Sequence, residues 1–481
     1  MREDIRAGVS NLKMLINGQG VTSAQNLEVI NPCNEEIVAQ VPDATVTDLD
    51  QAITAAKSAL VGWSDDEALR KSVLLSIASV IHENQEALAR ALSLETGLPL
   101  ANTKDEVGMA AYFFKYRSKT VVPVDIIHDD ERQRVQVVRK PVGVVGAIIP
   151  WNAPMMIASE KISTAFAAGN TVVLKTSPLA PLALLLLGQL LADKVPAGVL
   201  NILSGGDVIG KQMVADPRIG MISFTGSTEA GKAIMASGGA TLKRLSLELG
   251  GNDPAIVLPD ANPKKVASKL FWGAFYRSGQ ICAAIKRVYA HESMYDELVA
   301  AMAQLAAKTT PADAFDEGAL IGPLANREQF EKVKALLERA EAEGGRVAAG
   351  GKALDQSGYY LQPTIVSHVD ASNPLVREEQ FGPLLPIIQY TNIDDAIAQA
   401  NDTDYGLGAS VWSDDLEQAE AVAACLQAGS VWVNRHGIVM PDIPFGGFKH
   451  SGLGRANGDV GLDAYSELQT VSIAKPKPAE A

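Results

Sequence analysis

Residues 142–175, VGVVGAIIPWNAPMMIASEKISTAFAAGNTVVLK, decide the fold. The run 144–149 is short and apolar, which reads as a buried strand. From 155 to 168 the apolar residues Met155, Ala158, Ile162 and Ala165 recur at helical spacing, and 171–174 is a strand again. The same alternation continues outward, with a helix over 180–193, a strand over 199–203, a helix over 208–215 and a strand over 221–225. Repeated strand–helix–strand units imply a largely parallel sheet covered by helices on both faces. Residues 242–249 then alternate, with Leu245, Leu247 and Leu249 on one face and Arg244, Ser246 and Glu248 on the other, until Gly250-Gly251 ends the run. A second α/β unit follows, with helical patterns over 293–307 and 327–343, the latter closed by Gly344-Gly345. Residues 120–124 and 134–138, separated by a polar run, read as a hairpin.

The chain has 481 residues, 47% of them hydrophobic and 20% charged, which suits a protein with two or three hydrophobic cores. A net charge of −14 without a long cationic run argues against a nucleic-acid partner. The start, Met1-Arg2-Glu3-Asp4, does not read as a secretory signal. The greasiest segment, 180–191, is too short to span a bilayer, which takes about 20 residues, and Pro181 and Gln189 interrupt it. A soluble protein with no membrane partner is expected. Cys33, Cys282 and Cys425 lie far apart, so a reducing cytoplasm is the expected compartment. The six histidines are dispersed as well, and no metal site is visible.

Read singly, the candidate chemical residues are unremarkable. Glu248 before two glycines reads as a surface carboxylate beside a turn, and Cys282 as a small buried hydrophobe. Asn152 before Ala153-Pro154 reads as an ordinary helix cap. Gly226-Ser-Thr-Glu-Ala-Gly231-Lys232-Ala233 nearly spells a phosphate-binding loop, but Ala233 removes the hydroxyl that would ligate magnesium, so ATP chemistry is not indicated. A glycine-led helix start can still hold a pyrophosphate through its free N–H groups.

The joint arrangement changes this reading. Pro150-Trp151-Asn152, Phe224-Thr225-Gly226-Ser227-Thr228-Glu229, Leu247-Glu248-Leu249-Gly250-Gly251, Gly279-Gln280-Ile281-Cys282, Glu378-Glu379-Gln380-Phe381-Gly382-Pro383 and Pro444-Phe445-Gly446-Gly447 occur in this order, with Glu248 and Cys282 separated by 34 residues. In these motifs the chain resembles the NAD(P)-dependent aldehyde dehydrogenase superfamily over nearly its whole length. The resemblance implies an α/β aldehyde-dehydrogenase-like fold: a Rossmann-like cofactor domain over 1–118 and 139–249, an α/β catalytic domain over 250–450, and a small β oligomerisation arm with the C-terminal segment over 119–138 and 451–481. It implies a homodimer or homotetramer, with Arg244, Arg455 and Glu467 forming an ion-pair group near the subunit interface.

The implied chemistry is oxidation of an aldehyde to the carboxylic acid with NAD(P)+ and water. Cys282 would attack as the thiolate, giving a thiohemiacetal and then a thioester. Asn152 and the Cys282 N–H would hold the oxyanion. Glu248 would activate water for hydrolysis, and Lys161 would serve the proton path. Ala456 stands where relatives often carry a supporting glutamate after Gly454-Arg455. For the cofactor, NAD or NADP, the resemblance implies Ile149, Trp151, Lys175, Gly206, Gly226 and Ser227 around the adenosine and pyrophosphate, and Leu249, Glu379 and Phe381 around the nicotinamide and its ribose. In the run Lys175-Thr176-Ser177-Pro178, Lys175 and Ser177 are candidates to reach a 2′-phosphate, because Pro178 replaces the glutamate that repels it in many NAD-preferring relatives.

By motif position the substrate pocket comprises Ala153, Ile157, Glu160, Tyr276, Ile281, Ala283, His436, Val439 and Phe445. Ala153 replaces a common phenylalanine, and Pro-Trp-Asn-Ala-Pro resembles the vanillin and benzaldehyde dehydrogenases, so an aromatic or bulky apolar aldehyde is expected. Glu160 is expected to pair with His436 or Lys161 rather than with substrate; an aminoaldehyde recognised by Glu160 is the alternative. An acylating dehydrogenase that passes the thioester to coenzyme A is disfavoured by Glu248. A catalytically idle binding protein on this fold is disfavoured by the intact Cys282, Glu248 and Asn152.

Overall fold

The computed structural model describes residues 8–476; the acidic N-terminus Met1–Asp4 and the tail beyond Pro476 lie outside it. The two strands of residues 142–175 lie at the centre of an eight-stranded sheet. Its strands run in the order Gly452–Leu453, Arg244–Glu248, Ile219–Thr225, Val144–Ile148, Thr171–Lys175, Leu200–Leu203, Met14–Ile16 and Gln19–Val21. The five strands from Arg244–Glu248 to Leu200–Leu203 are parallel, whereas both edges are finished by antiparallel strands. Val144–Ile148 and Thr171–Lys175 are buried at every position, as strands covered on both faces must be.

A second sheet of seven strands has the order Arg346–Ala349, Thr364–Ser367, Leu384–Tyr390, Ile285–His291, Asp253–Val257, Gly408–Trp412 and Ser430–Val433. It is parallel apart from its first pair. Gly250 and Gly251 link the two sheets, so Glu248 ends a strand of one and Asp253 begins a strand of the other. Each sheet has its own apolar core. A crevice beyond the carboxyl ends of parallel strands is where such folds bind ligands.

The expected elements are present with adjusted bounds. The helix expected over 180–193 is Leu182–Leu191, because residues 177–180 form a tight bridge before it. The strand expected over 242–249 starts at Arg244, since Leu242 adopts φ 51° in the left-handed region. The hairpin's first strand is Asp125–Asp129 rather than 120–124. Asp130 sets that turn by accepting from the N–H groups of Arg132 and Gln133 at 2.7 and 2.9 Å. Its second strand, Gln133–Pro141, pairs along its length with Ser466–Ala474. Gly452–Leu453 belongs to the first sheet, beside Leu247 and Glu248.

Four helices, Val46–Ser64, Glu67–Glu83, Gln85–Thr96 and Leu100–Arg117, precede the hairpin. Among the described residues no helix is long and apolar enough to cross a membrane.

Candidate active site

The Cys282 loop begins where the helix Pro263–Phe275 ends. Arg277, Ser278 and Gly279 all take left-handed φ values, 54°, 57° and 73°. Glycine is required at 279, because a side chain there would strike the Gly382 carbonyl. The loop is tied down by Lys286, whose Nζ donates to the Gly279 and Ile281 carbonyls at 3.2 and 2.8 Å. Gln280 also holds it, donating to the Arg277 carbonyl and accepting from the Ala325 N–H. Cys282 packs with Ala283, Leu407, Trp432 and Phe445. Part of its surface stays reachable, yet desolvation, reinforced by the carboxylates of Glu379, Asp253 and Glu248, pushes its thiol up to about 12. The thiol therefore needs a base to become a nucleophile.

Glu248 is one of the carboxylates that act on this thiol. It ends its strand buried, and neither carboxylate oxygen has a hydrogen-bond partner. Burial raises its pKa to about 8; Lys161 and Arg455 oppose the shift, and Glu160 adds to it. Gly446 lets the chain pass beside Glu248, since a Cβ there would lie 2.9 Å from its Oε1. Asn152 is buried across from this loop, and its Nδ2 donates to the Gln280 carbonyl at 2.9 Å. The capping role expected for Asn152 is not the one it has. Ala153 occupies the cap position of the helix Pro154–Ala167, without a side-chain bond, and Glu106 accepts from the first N–H groups instead.

The residues present fit a dinucleotide. A cleft of about 270 Å³ opens along the first sheet, lined by Ile148, Lys175, Asp207, Lys211, Phe224 and Ile234 among others. Gly206, which caps the helix Asp207–Ala215 without a side-chain bond, has open space around it. Ser227 caps the helix Thr228–Gly238. Burial lowers the Lys175 ammonium to about 8, against the pull of Asp207 and Asp43. Ile149 is buried, and Ile148 lines the cleft in its place. The Ser177 hydroxyl accepts from the Leu179 N–H at 3.2 Å, and Ser177 is not among the residues that line this cleft beside Lys175. Nearer Cys282, Trp151 meets Phe381 edge to face at 5.4 Å, and Lys286 lies 5.0 Å from the Phe381 ring centre. Glu379 accepts from the Gly251 N–H at 3.1 Å; a side chain at Gly250 would collide with its carboxylate. Leu249 packs against Gly231.

A second cavity, of about 250 Å³, is bounded by Trp432, Arg435, Ile438, Val439, Ile443 and Phe445, with their neighbours. Of the expected pocket residues, Val439 and Phe445 line it directly, and Phe445 joins it to Cys282 and Ala283. Tyr276 and Ile281 are partly exposed in the Cys282 loop, and Ala153 and Ile157 sit at the start of their helix.

Glu160 does not line this cavity. It is buried with its Oε2 3.8 Å from Lys161 Nζ, near the Arg117 guanidinium; burial raises its pKa and both cations oppose the rise. Lys161 in turn donates to Ser223 Oγ at 2.9 Å, and Tyr465 closes the chain at 2.8 Å from that hydroxyl. The pairing of Glu160 with Lys161 is thus present. His436 is elsewhere: its Nε2 lies 3.1 Å from the Ala283 carbonyl and 3.7 Å from Asp253, and its ring packs on Trp432. Arg244 and Glu467 form an ion pair, but Arg455 instead donates to the Gly447 and Gly454 carbonyls.

Several contributors escaped the sequence. Trp432, on the strand Ser430–Val433, and Leu407, just ahead of the strand Gly408–Trp412, arrive from more than a hundred residues away, and only their apolar patterning could have hinted at them. Glu106 and Arg277 had no local signal at all.

The aldehyde dehydrogenase family model matches residues 20–471. Phenylacetaldehyde dehydrogenase of Pseudomonas fluorescens is 36% identical over 480 residues, spanning 96% of each chain. The peroxisomal aminoaldehyde dehydrogenase 1 of Pisum sativum is 36% identical over 484 residues, again spanning 96% of each. Among solved structures, the NAD+ complex of the Bacillus cereus aldehyde dehydrogenase superposes with a TM-score of 0.96 at 33% identity, covering 98% of this chain and 99% of that one.

Proposed function

The chain belongs to the aldehyde dehydrogenase family, whose activity is aldehyde oxidation with NAD or NADP, and we propose that this member converts an aromatic or otherwise bulky apolar aldehyde to the free acid through a Cys282 thioester. The supporting observation is a partly reachable Cys282 thiol within the electrostatic reach of Glu248, a buried carboxylate with no hydrogen-bond partner of its own.

Cys282, its thiol proton released to solvent, adds as the thiolate to the aldehyde carbonyl carbon. The oxyanion that forms is held by the Asn152 amide and the Cys282 N–H. The bound nicotinamide supplies the hydride acceptor. Loss of hydride would turn the thiohemiacetal into a thioester; Glu248 then removes a proton from the attacking water, the C–S bond breaks as the acid forms, Cys282 leaves as the thiolate, and Glu248 passes its proton to solvent. A hydrolytic base beside the thioester favours the free acid over transfer to coenzyme A.

Lys175, Gly206, Gly226 and Ser227 would hold the adenosine and pyrophosphate, with Trp151, Leu249, Glu379 and Phe381 at the nicotinamide end. The domain division at 118/139, 249/250 and 450/451 belongs to the same reading, as does self-association through the three-stranded arm. That arm exposes Val124, Ile126, Ile127, Leu468 and Ile473, more apolar surface than an isolated ribbon needs. A cytoplasmic location is part of this reading.

The apolar surroundings of Cys282, namely Leu407, Trp432 and Phe445, support the substrate class. A panel of aromatic, terpenoid, aliphatic and amino aldehydes, each assayed with NAD+ and NADP+, tests it. Highest kcat/KM on short aliphatic aldehydes would reject the bulky apolar class.

A further inference from the structure

Three elements separated in sequence meet at one buried ion pair. Glu106 projects from the helix Leu100–Arg117 and Arg277 from the loop ahead of Cys282, and both side chains are almost wholly removed from solvent. Arg277 Nη2 donates to Glu106 Oε2 and, at 2.8 Å, to the backbone carbonyl of Asn152. The other Glu106 oxygen accepts from the N–H groups of Met155 and Met156 at 2.9 and 3.2 Å. Glu106 therefore caps the helix that begins beside Asn152, a place where Ala153 has no side-chain acceptor to offer.

Asn152 is consequently fastened twice to the same loop. Arg277 holds its main chain, and the Gln280 carbonyl holds its side-chain amide at 2.9 Å. That bond uses one Nδ2 hydrogen and leaves the second for another acceptor. Arg277 itself has φ 54°, a conformation that a residue with a side chain adopts when its surroundings hold it there. Buried ion pairs are weak stabilisers beside well-packed apolar residues. A pair fastened to the Asn152 carbonyl and to the start of its helix is suited to fixing geometry.

We propose that the Glu106–Arg277 pair is a positioning device for the reaction, holding Asn152 at a fixed distance from the loop that carries Cys282 so that its amide meets the oxyanion. The inference rests on the reading of Asn152 as an oxyanion donor, and the test separates the two.

Single-turnover NADH formation from phenylacetaldehyde and its 1-deuterated form is measured for the full-length wild type, Asn152→Ala, Arg277→Met, Arg277→Lys and the Asn152→Ala/Arg277→Met double variant. Arg277→Met is expected to slow hydride transfer about tenfold to a hundredfold, with an undiminished isotope effect and KM within about threefold. Arg277→Lys, which keeps a cation opposite Glu106, should recover part of the rate. Added to Asn152→Ala, the Met substitution should change the rate by less than about twofold, because its route of action is already gone. If Asn152→Ala leaves hydride transfer intact, the oxyanion reading is wrong. If Asn152→Ala slows it but Arg277→Met does not, or multiplies in full with it, the pair is structural and the positioning proposal falls alone. Should Arg277→Met fail to fold, Glu106→Gln carries the test: it keeps an oxygen for the helix N–H groups and should slow the same step.

Discussion

The Asn152 amide donates to the Gln280 carbonyl, two residues ahead of Cys282, across 2.9 Å. The proposed oxyanion donor is thus tied to the loop that carries the proposed nucleophile, although the two segments adjoin different sheets. Asn152→Asp keeps the shape but replaces the donor with a carboxylate. It should lower kcat about a hundredfold or more while cofactor binding, followed by NADH fluorescence, stays near wild type. An unchanged kcat would remove Asn152 from the mechanism.

Glu248 acts as a base in its ionised form, and its pKa is raised to about 8, so thioester hydrolysis should rise with pH through that region. Glu160 lifts this value and Lys161 lowers it. Removing the negative neighbour with Glu160→Gln should move the limb of the pH–rate profile to lower pH, and Lys161→Met should move it higher. Glu248→Gln should retain a burst of NADH followed by slow turnover; loss of burst and steady state together would move the role of Glu248 from hydrolysis to thiol activation.

Lys175 is the cation in the dinucleotide cleft with a pKa lowered to about 8. NADP+ should serve alongside NAD+, because Pro178 places no carboxylate at the position from which many NAD-preferring relatives repel a 2′-phosphate. Since the lysine loses its charge as pH rises past about 8, the kcat/KM ratio of NADP+ to NAD+ should fall across that range, and Lys175→Met should abolish the pH dependence. A strong NAD+ preference that Pro178→Glu leaves unchanged would place the discrimination elsewhere, with Asp207 and Lys211 the nearest charged candidates.

Glu160 sits beside Lys161 and Arg117 and away from the Trp432 cavity. Glu160→Gln should therefore alter kcat/KM for phenylacetaldehyde and for a cationic aminoaldehyde by the same factor, within about twofold. A several-fold loss confined to the cationic substrate would restore the aminoaldehyde reading.

Much of this site was legible because its residues carry local context: Cys282 in Gly-Gln-Ile-Cys, Glu248 before Gly-Gly, Asn152 after Pro-Trp. The strand–helix alternation of 142–225 was equally plain, since strands buried on both faces are apolar at every position. What stayed hidden depends on distance in the chain. The N–H groups of Met155 and Met156 could not reveal an acceptor 49 and 50 residues upstream. Nor could the sequence show that Arg455 turns to nearby carbonyls rather than to Glu467. His436 and Glu160, both placed in the pocket by motif position, differ because one packs on Trp432 and the other is drawn to Lys161. Such choices are made by packing and charge between elements, which local pattern does not encode.

The proposed mechanism turns on a covalent acyl group on Cys282, which mass spectrometry detects directly. Glu248→Gln is mixed with phenylacetaldehyde and NAD+, quenched in acid within the burst, and examined by intact-protein and peptide mass spectrometry. The expected result is the mass of one phenylacetyl group on the peptide containing Cys282, absent from the Cys282→Ala variant, which should also have lost oxidation while Cys33→Ala and Cys425→Ala retain it. NADH formation without an adduct at Cys282, or substantial turnover by Cys282→Ala, would contradict the mechanism.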